Sequence, residues 1–104
     1  MKDVTNIIES LKNQIHSLFS NFYGIYLYGS YANKTNKDNS DIDIVALFDT
    51  KLAREDRMKL WCLVGLIEAK YNVIIDLHPM NKEELKQNPV YYNQVVSKGI
   101  FYGA

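Results

Sequence analysis

The sequence predicts an α/β fold: a mixed sheet of three to five strands, with helices packed on one face and acidic side chains on the open face. Two long segments carry apolar residues three and four positions apart, which is the periodicity of amphipathic helices. Short runs rich in β-branched and aromatic residues lie between and after them, as expected for strands. With 104 residues, of which 47% are hydrophobic, the chain is long enough for one domain spanning 1–104.

The predicted elements along the chain are four helices and four strands. Asn81 followed by Glu84 indicates a capped short helix, and Gly99 is suited to end the helix that precedes it. In order, we expect a helix at 4–22, a strand at 25–28, a strand at 41–48, a helix at 52–71, a strand at 73–77, a short helix ending at 86, a helix at 90–98 and an apolar strand at 100–102.

Three residues of the second long helix have predicted environments. Trp61 is expected to pack in the core, with a partner surface as the alternative. Cys62 is the only cysteine, so it forms no disulfide within the chain and is expected to be a small buried residue. Gly65 costs a helix about 1 kcal/mol relative to alanine, so we expect a close packing contact at this position.

The strand at 73–77 is apolar and β-branched apart from Asp76, which favours a central, buried position in the sheet. A buried carboxylate is costly unless it is paired, protonated or bound to metal. If this strand lies beside the strand at 41–48, Asp76 can reach an ion held there; the alternative is an ordinary aspartate at a strand end. Pro79 is expected to end the strand.

Composition excludes several classes of function. Twelve basic and twelve acidic residues give a formal net charge of zero, whereas proteins that grip long nucleic acid are usually basic. Near-zero charge also gives little protection against self-association, which is compatible with homo- or hetero-oligomers. No apolar run is long enough to span a membrane, and we see no signal peptide. We therefore expect a cytoplasmic protein.

The most informative pattern is an Asp-Ile-Asp sequence at the start of the strand at 41–48. Residues two apart in a strand point to the same face, so Asp41 and Asp43 are expected to stand side by side. Two neighbouring carboxylates resist joint ionisation. A divalent cation relieves this repulsion, and hard oxygen ligands suit Mg²⁺, with Mn²⁺ as the alternative.

A second pattern, Gly29-Ser30, follows the first strand. Glycine allows close approach of the backbone to a ligand, or a positive φ. Ser30 can cap a helix or turn that begins beside it, and the free N–H groups of such a start attract phosphate. A phosphate cradle next to paired carboxylates indicates chemistry on a nucleoside triphosphate.

Together these residues resemble the signature of the minimal nucleotidyltransferases (MNT), small members of the polymerase-β-like superfamily. The signature is Gly-Ser, a spacer, and then Ser-Asp-Ile-Asp-Ile. One position departs from it, because Lys34 stands where the family has a second glycine that allows positive φ. The matching residues are Gly29, Ser30, Ala32, Ser40, Asp41, Ile42, Asp43 and Ile44.

The resemblance implies a palm-like nucleotidyltransferase fold and a role for each motif residue. Asp41, Asp43 and Asp76 would be the catalytic, metal-binding carboxylates for two Mg²⁺ ions, with Asp76 as general base. The nucleotide-binding residues would be Gly29, Ser30 and Ser40. The family also implies ATP as substrate and a HEPN-domain protein, a helical toxin, as partner. The leading hypothesis is therefore an antitoxin that transfers AMP to a tyrosine of that toxin.

Two alternatives stay open. The chain could neutralise a partner by binding alone, with catalysis weak or lost, for which Lys34 is the one supporting feature. It could also be a small-molecule nucleotidyltransferase, of the antibiotic-modifying type, that is completed by a helical second subunit.

Overall fold

The computed structural model describes residues 4–37 and 40–104. Helices and strands follow one another in the predicted order, and the two long helices are separated by a strand pair. The helices are α1 (Val4–Leu18), α2 (Arg54–Tyr71), α3 (Lys82–Lys86) and α4 (Pro89–Tyr92), which continues into a π-helical segment at Asn93–Ser97. In the part of the chain described, no helix is both long and apolar enough to cross a bilayer.

The sheet has four strands, β1 (Phe22–Tyr28), β2 (Ile42–Phe48), β3 (Ile75–Met80) and β4 (Ile100–Gly103). They lie in the order β3-β2-β1-β4. β1 pairs antiparallel with both β2 and β4, whereas β2 and β3 run parallel. The sheet is therefore mixed, as predicted, and the strand expected at 100–102 is confirmed as β4.

The two faces of the sheet carry separate apolar clusters. α1 and α2 cover one face, where the main core includes Ile8, Leu11, Leu60 and the even-numbered residues of β2. On the opposite face the odd-numbered Val45 and Leu47 pack against the C-terminal helical segments. The long helices thus pack on one face, as expected, but the other face is open only at the end where β2 begins.

The largest differences from the predicted boundaries lie between α1 and β1 and at β3. α1 ends at Leu18 and the next strand begins at Phe22, because the carbonyl of Asn21 already accepts the Asp49 N–H at 2.9 Å. The second difference is β3, which extends through Pro79 to Met80. The Ile75 N–H points away from β2 and donates to Glu68 at 2.9 Å. The Pro79 nitrogen, four residues on, faces the same way, so the ring removes no ladder hydrogen bond.

β3 lies at an edge of the sheet, so the prediction of a central, buried strand was wrong. Its residues alternate between buried and exposed, with Ile75 and Leu77 inside and Asp76 and His78 outside. A run of β-branched residues is compatible with both a central and an edge position.

The three predictions for α2 were wrong in the same way. Trp61 is 43% exposed instead of packing in the core, and Cys62 is exposed. A Cβ added to Gly65 would meet no atom within 4 Å, so close packing within the chain does not explain this glycine. All three residues lie on the outward side of α2, away from the sheet.

Candidate active site

One row of side chains crosses β1, β2 and β3 at the open end of the sheet. Asp43 of β2 lies opposite Tyr28 of β1 and beside Asp76 of β3. Cross-strand neighbours on one face stand about 5 Å apart. The structure therefore brings together Asp43 and Asp76, which are far apart in the sequence. It does so because β3 lies beside β2, which is the condition under which Asp76 was expected to reach this site.

The charges of three aspartates meet at Asp43. Its pKa is raised above the ordinary value, mainly by burial and then by the negative charges of Asp76 and Asp41. His78 acts in the opposite direction and lowers it. Asp76 is the cross-strand neighbour of Asp43, and Asp41 precedes it by two residues in the chain. This mutual repulsion is what a divalent cation relieves.

Asp41 and Asp76 are less enclosed than Asp43. Asp41 is exposed and precedes the first residue of β2. The Asp76 side chain is 51% exposed, and its Oδ1 lies 3.1 Å from Nε2 of His78. Asp76 is therefore not a buried carboxylate, so its predicted burial was wrong although its predicted neighbour was right.

Asp43 and Asp76 are the part of the predicted metal site that the structure brings side by side. Within residues 4–37 and 40–104, no group of three or more His, Cys, Asp or Glu side chains stands ready to hold an ion. The donor set still fits Mg²⁺, because hard carboxylate oxygens converge on an exposed end of the sheet and repel one another there. Asp43 and Asp76, with Asp41 beside them, are the residues that would hold it.

Gly29 lies between the predicted phosphate-binding turn and the predicted metal-binding carboxylates. It has a φ of 75°, a region that favours glycine. The Asp43 carboxylate lies against its α-carbon, so an added Cβ would overlap Asp43 Oδ2. The glycine thus does two things, turning the chain after β1 and leaving room for the central carboxylate.

The segment after Gly29 forms a turn, which is one of the two structures expected to begin beside Ser30. The Asn33 N–H donates to the Gly29 carbonyl at 3.0 Å, and the Thr35 N–H donates to the Ser30 carbonyl at 2.9 Å. Lys34 has a φ of 59°. The positive φ expected from the family's glycine is therefore kept, with a lysine adopting the left-handed conformation.

Ser40 closes the loop that follows this turn. Its Oγ accepts the Lys37 N–H at 2.7 Å, and its own N–H donates to the Lys37 carbonyl at 3.0 Å. Residues 38 and 39 of the predicted polar loop lie outside the described residues. Ser40 thus has a structural partner in the loop, and its predicted nucleotide contact stays a prediction.

Two tyrosines complete the site, and sequence reasoning missed both. Tyr28 Oη and Tyr91 Oη are 2.9 Å apart, and their rings meet edge to face at 5.6 Å between centroids. Burial raises the pKa of both hydroxyls, and the negative charges of Asp43 and Asp76 raise them further. Alternation along β1 could have placed Tyr28 beside the carboxylates, whereas no local signal points to Tyr91.

Comparison with known proteins identifies this arrangement. The family model of the nucleotidyltransferase domain matches residues 8–102. No curated protein matches the chain. Among solved structures, a chain of a toxin–antitoxin complex with AMP-PNP is 30% identical, with a TM-score of 0.67 over 95% of this chain and 73% of that chain.

Two further solved structures come from complexes of the same kind. A chain of the MntA–HepT toxin–antitoxin is 26% identical, with a TM-score of 0.54 over 92% of this chain and 73% of that chain. A chain from the structure of a tri-AMPylated Shewanella oneidensis HEPN toxin in complex with MNT antitoxin is 25% identical at the same TM-score of 0.54, over 92% of this chain and 72% of that chain. The family match spans most of the sequence, and the chain therefore belongs to the nucleotidyltransferase domain family as a nucleotidyltransferase of the MNT type.

Proposed function

We propose that this protein transfers AMP from ATP to a tyrosine hydroxyl of a HEPN-domain partner and so acts as its antitoxin in the cytoplasm. The observation that carries the proposal is the row formed by Tyr28, Asp43 and Asp76, with Gly29 directly beneath the central carboxylate. This row provides paired acidic oxygens beside a glycine turn, which is what metal-assisted chemistry on a triphosphate needs.

Each site residue has a distinct role in the proposed reaction. Asp41 and Asp43 face the triphosphate, and the N–H groups of the turn after Gly29 bind its terminal phosphates. The tyrosine oxygen attacks the α-phosphorus, the bond between the α- and β-phosphates breaks, and pyrophosphate leaves. Asp76, the more exposed carboxylate of the pair, accepts the proton of the attacking hydroxyl. Bound Mg²⁺ supplies charge stabilisation of the transition state.

Similar structures support the substrate and the partner. The matched relatives include a toxin–antitoxin with AMP-PNP and a tri-AMPylated HEPN toxin in complex with MNT antitoxin. A nucleotide analogue of ATP and an AMP-bearing toxin are the reactant side and the product side of the reaction proposed for this chain.

The direct test is incubation with α-labelled ATP, Mg²⁺ and a HEPN-domain protein, the product of the adjacent gene being the first to try. We expect label to enter the HEPN protein and Asp43→Asn to lower the rate at least about 100-fold, since it removes the negative charge of the central carboxylate. Asp49→Asn makes the same change at the other end of β2, where the side chain is exposed, and should leave the rate within about twofold. A wild-type protein that leaves all label in ATP contradicts the proposal.

Neutralisation by binding alone is the second candidate. It is favoured by the pairing of Asp76 with His78 and by the absence of a ready three-ligand group in the described parts of the chain. The double variant Asp41→Asn/Asp43→Asn separates the two functions. Full neutralisation of the toxin by this variant would show that binding suffices, whereas loss of neutralisation with retained binding supports catalysis.

A further inference from the structure

The outward side of α2 is an apolar surface that nothing in the described chain covers. Met58 is 59% exposed and Leu66 is 70% exposed. Together with Leu18 at the end of α1, they line an open groove of about 410 Å³ that also includes Lys59, Cys62 and Leu63. An exposed apolar groove of this kind marks an interaction surface.

The spacing of residues on this surface shows which partner fits it. Met58, Cys62, Gly65 and Ala69 are separated by four, three and four residues, so they form one line along the helix. The spacing of these four residues is the same when it is counted from either end of the helix. When a second α2 runs antiparallel to the first, Met58 comes opposite Ala69 of the other copy, and Cys62 comes opposite Gly65.

Side-chain sizes are compatible with this antiparallel arrangement. Met58 meets the small Ala69, and Cys62, itself small, meets Gly65, which lets two helices approach closely. Trp61 projects from one flank of the line, and helical geometry places it beside Gly65 of the reversed copy. Gly65 has open space where a Cβ would be, so an indole ring has room there. A close contact between copies accounts for a glycine that packing within one chain leaves unexplained.

Charge is compatible with two copies in contact. The four residues of the line are uncharged, and the chain has a formal net charge of zero, so two copies do not repel each other overall. Glu55 and Lys70 are exposed at the two ends of α2, on one flank of the line. In the reversed copy the carboxylate at one end comes near the ammonium at the other, which favours the antiparallel direction.

We propose that this groove is the interface of a two-fold symmetric homodimer, in which α2 of one copy packs antiparallel on α2 of the other. The contact is isologous, since each copy uses the same residues. α2 packs on the face of the sheet opposite the carboxylate row. The dimer therefore leaves Asp43 and Asp76 of both copies accessible, and the proposal stands independently of the proposed function.

The test is the mass of the protein in solution as a function of concentration, by sedimentation equilibrium from about 1 μM to about 1 mM, a range that spans affinities of this order. We expect the mass to rise from the 12.1 kDa monomer to twice that value. Leu66→Glu places a like charge in both halves of the interface and should weaken dimerisation at least about tenfold. Because Leu66 is largely exposed, this variant keeps the fold of the monomer, which circular dichroism checks.

The matched control is Val90→Glu, which adds the same charge to a side chain that is 73% exposed on α4. This variant should dimerise like the wild type. Cys62 gives a second readout, because a short bis-maleimide should cross-link wild-type dimers through it and fail on Leu66→Glu.

Two results would overturn the proposal. The first is a wild-type chain that stays monomeric throughout the concentration range, and the second is equal dimerisation of Leu66→Glu and Val90→Glu. If the wild type is monomeric and Leu66→Glu also loses HEPN-partner binding, the groove belongs to the partner.

Discussion

Asp43 is held where its charge is unfavourable for the folded protein. It is partly buried and stands beside Asp76, with Asp41 two residues away. Its raised pKa means that the folded state prefers the protonated form. The stability linked to this group is therefore greatest below the pKa of the unfolded chain, and it is lost as pH rises through the folded pKa. At neutral pH the folded protein thus bears an uncompensated repulsion.

We predict that Asp43→Asn stabilises the metal-free protein. The gain in unfolding free energy at pH 7 in EDTA should be up to about 1 kcal/mol, the scale of like charges directly opposite in a sheet. It should disappear at acidic pH, where Asp43 is protonated in both states. Chemical denaturation at both pH values measures it, with Asp49→Asn as the control. A loss of stability at pH 7 would show that Asp43 makes favourable contacts instead.

Gly29 disfavours a side chain for two separate reasons. Its φ of 75° disfavours any other residue, and a Cβ would overlap Asp43. We predict that Gly29→Ala lowers the unfolding free energy by about 1–3 kcal/mol and abolishes AMP transfer. Thermal denaturation and the labelled-ATP assay measure the two effects. Gly103→Ala is the matched control, since its Cβ would meet the Phe101 ring at an ordinary 3.5 Å. Equal stability of the two variants would contradict this account.

At the scale of elements, α2 contains an exposed glycine whose cost is measurable. A Cβ at Gly65 meets open space in the monomer. We predict that Gly65→Ala raises the unfolding free energy by about 1 kcal/mol at micromolar concentration, where the monomer prevails. The reverse change Ala69→Gly, at an exposed position of the same helix, should lower it by a similar amount. Urea denaturation that shows no gain for Gly65→Ala would imply a constraint at this position within the monomer.

Most elements could be predicted from the sequence because their signals are local. The i and i+2 spacing of Asp41 and Asp43, the helical periodicity before Leu18 and the capping pair at Asn81 each depend on a few neighbouring residues. The Asn81 side chain does accept the Glu84 N–H at 2.8 Å, and the Glu84 carboxylate accepts the Asn81 N–H at 3.2 Å.

What could not be predicted depends on contacts between distant segments. The edge position of β3 follows from strand order, which periodicity does not encode. Tyr91 reaches Tyr28 across 63 positions of sequence. The exposure of Trp61 has a related cause, because an aromatic residue beside a helical core stripe has the same local pattern whether it faces the core or a partner. Lys34 shows that a lysine can adopt a positive φ at a position where the family has glycine.

At the scale of the whole molecule, the sheet separates two kinds of contact. One face and its helices form the main core and present the apolar side of α2. The other face presents the carboxylate row at its open end, beside the C-terminal helical segments. In the proposed function a HEPN partner presenting a tyrosine approaches the second face, and in the proposed dimer a second copy of the chain packs on the first. Both contacts can therefore exist at once.

The central claim is that Asp41, Asp43 and Asp76 act on a shared divalent cation, and Mn²⁺ binding tests it most directly. Electron paramagnetic resonance of free Mn²⁺ during titration gives the affinity of each protein, without nucleotide because ATP itself binds Mn²⁺. We expect Asp76→Asn and Asp43→Asn each to weaken binding at least about tenfold, with Asp49→Asn unchanged. Wild-type affinity in Asp76→Asn would contradict the claim, because the third carboxylate would then have no part in holding the ion.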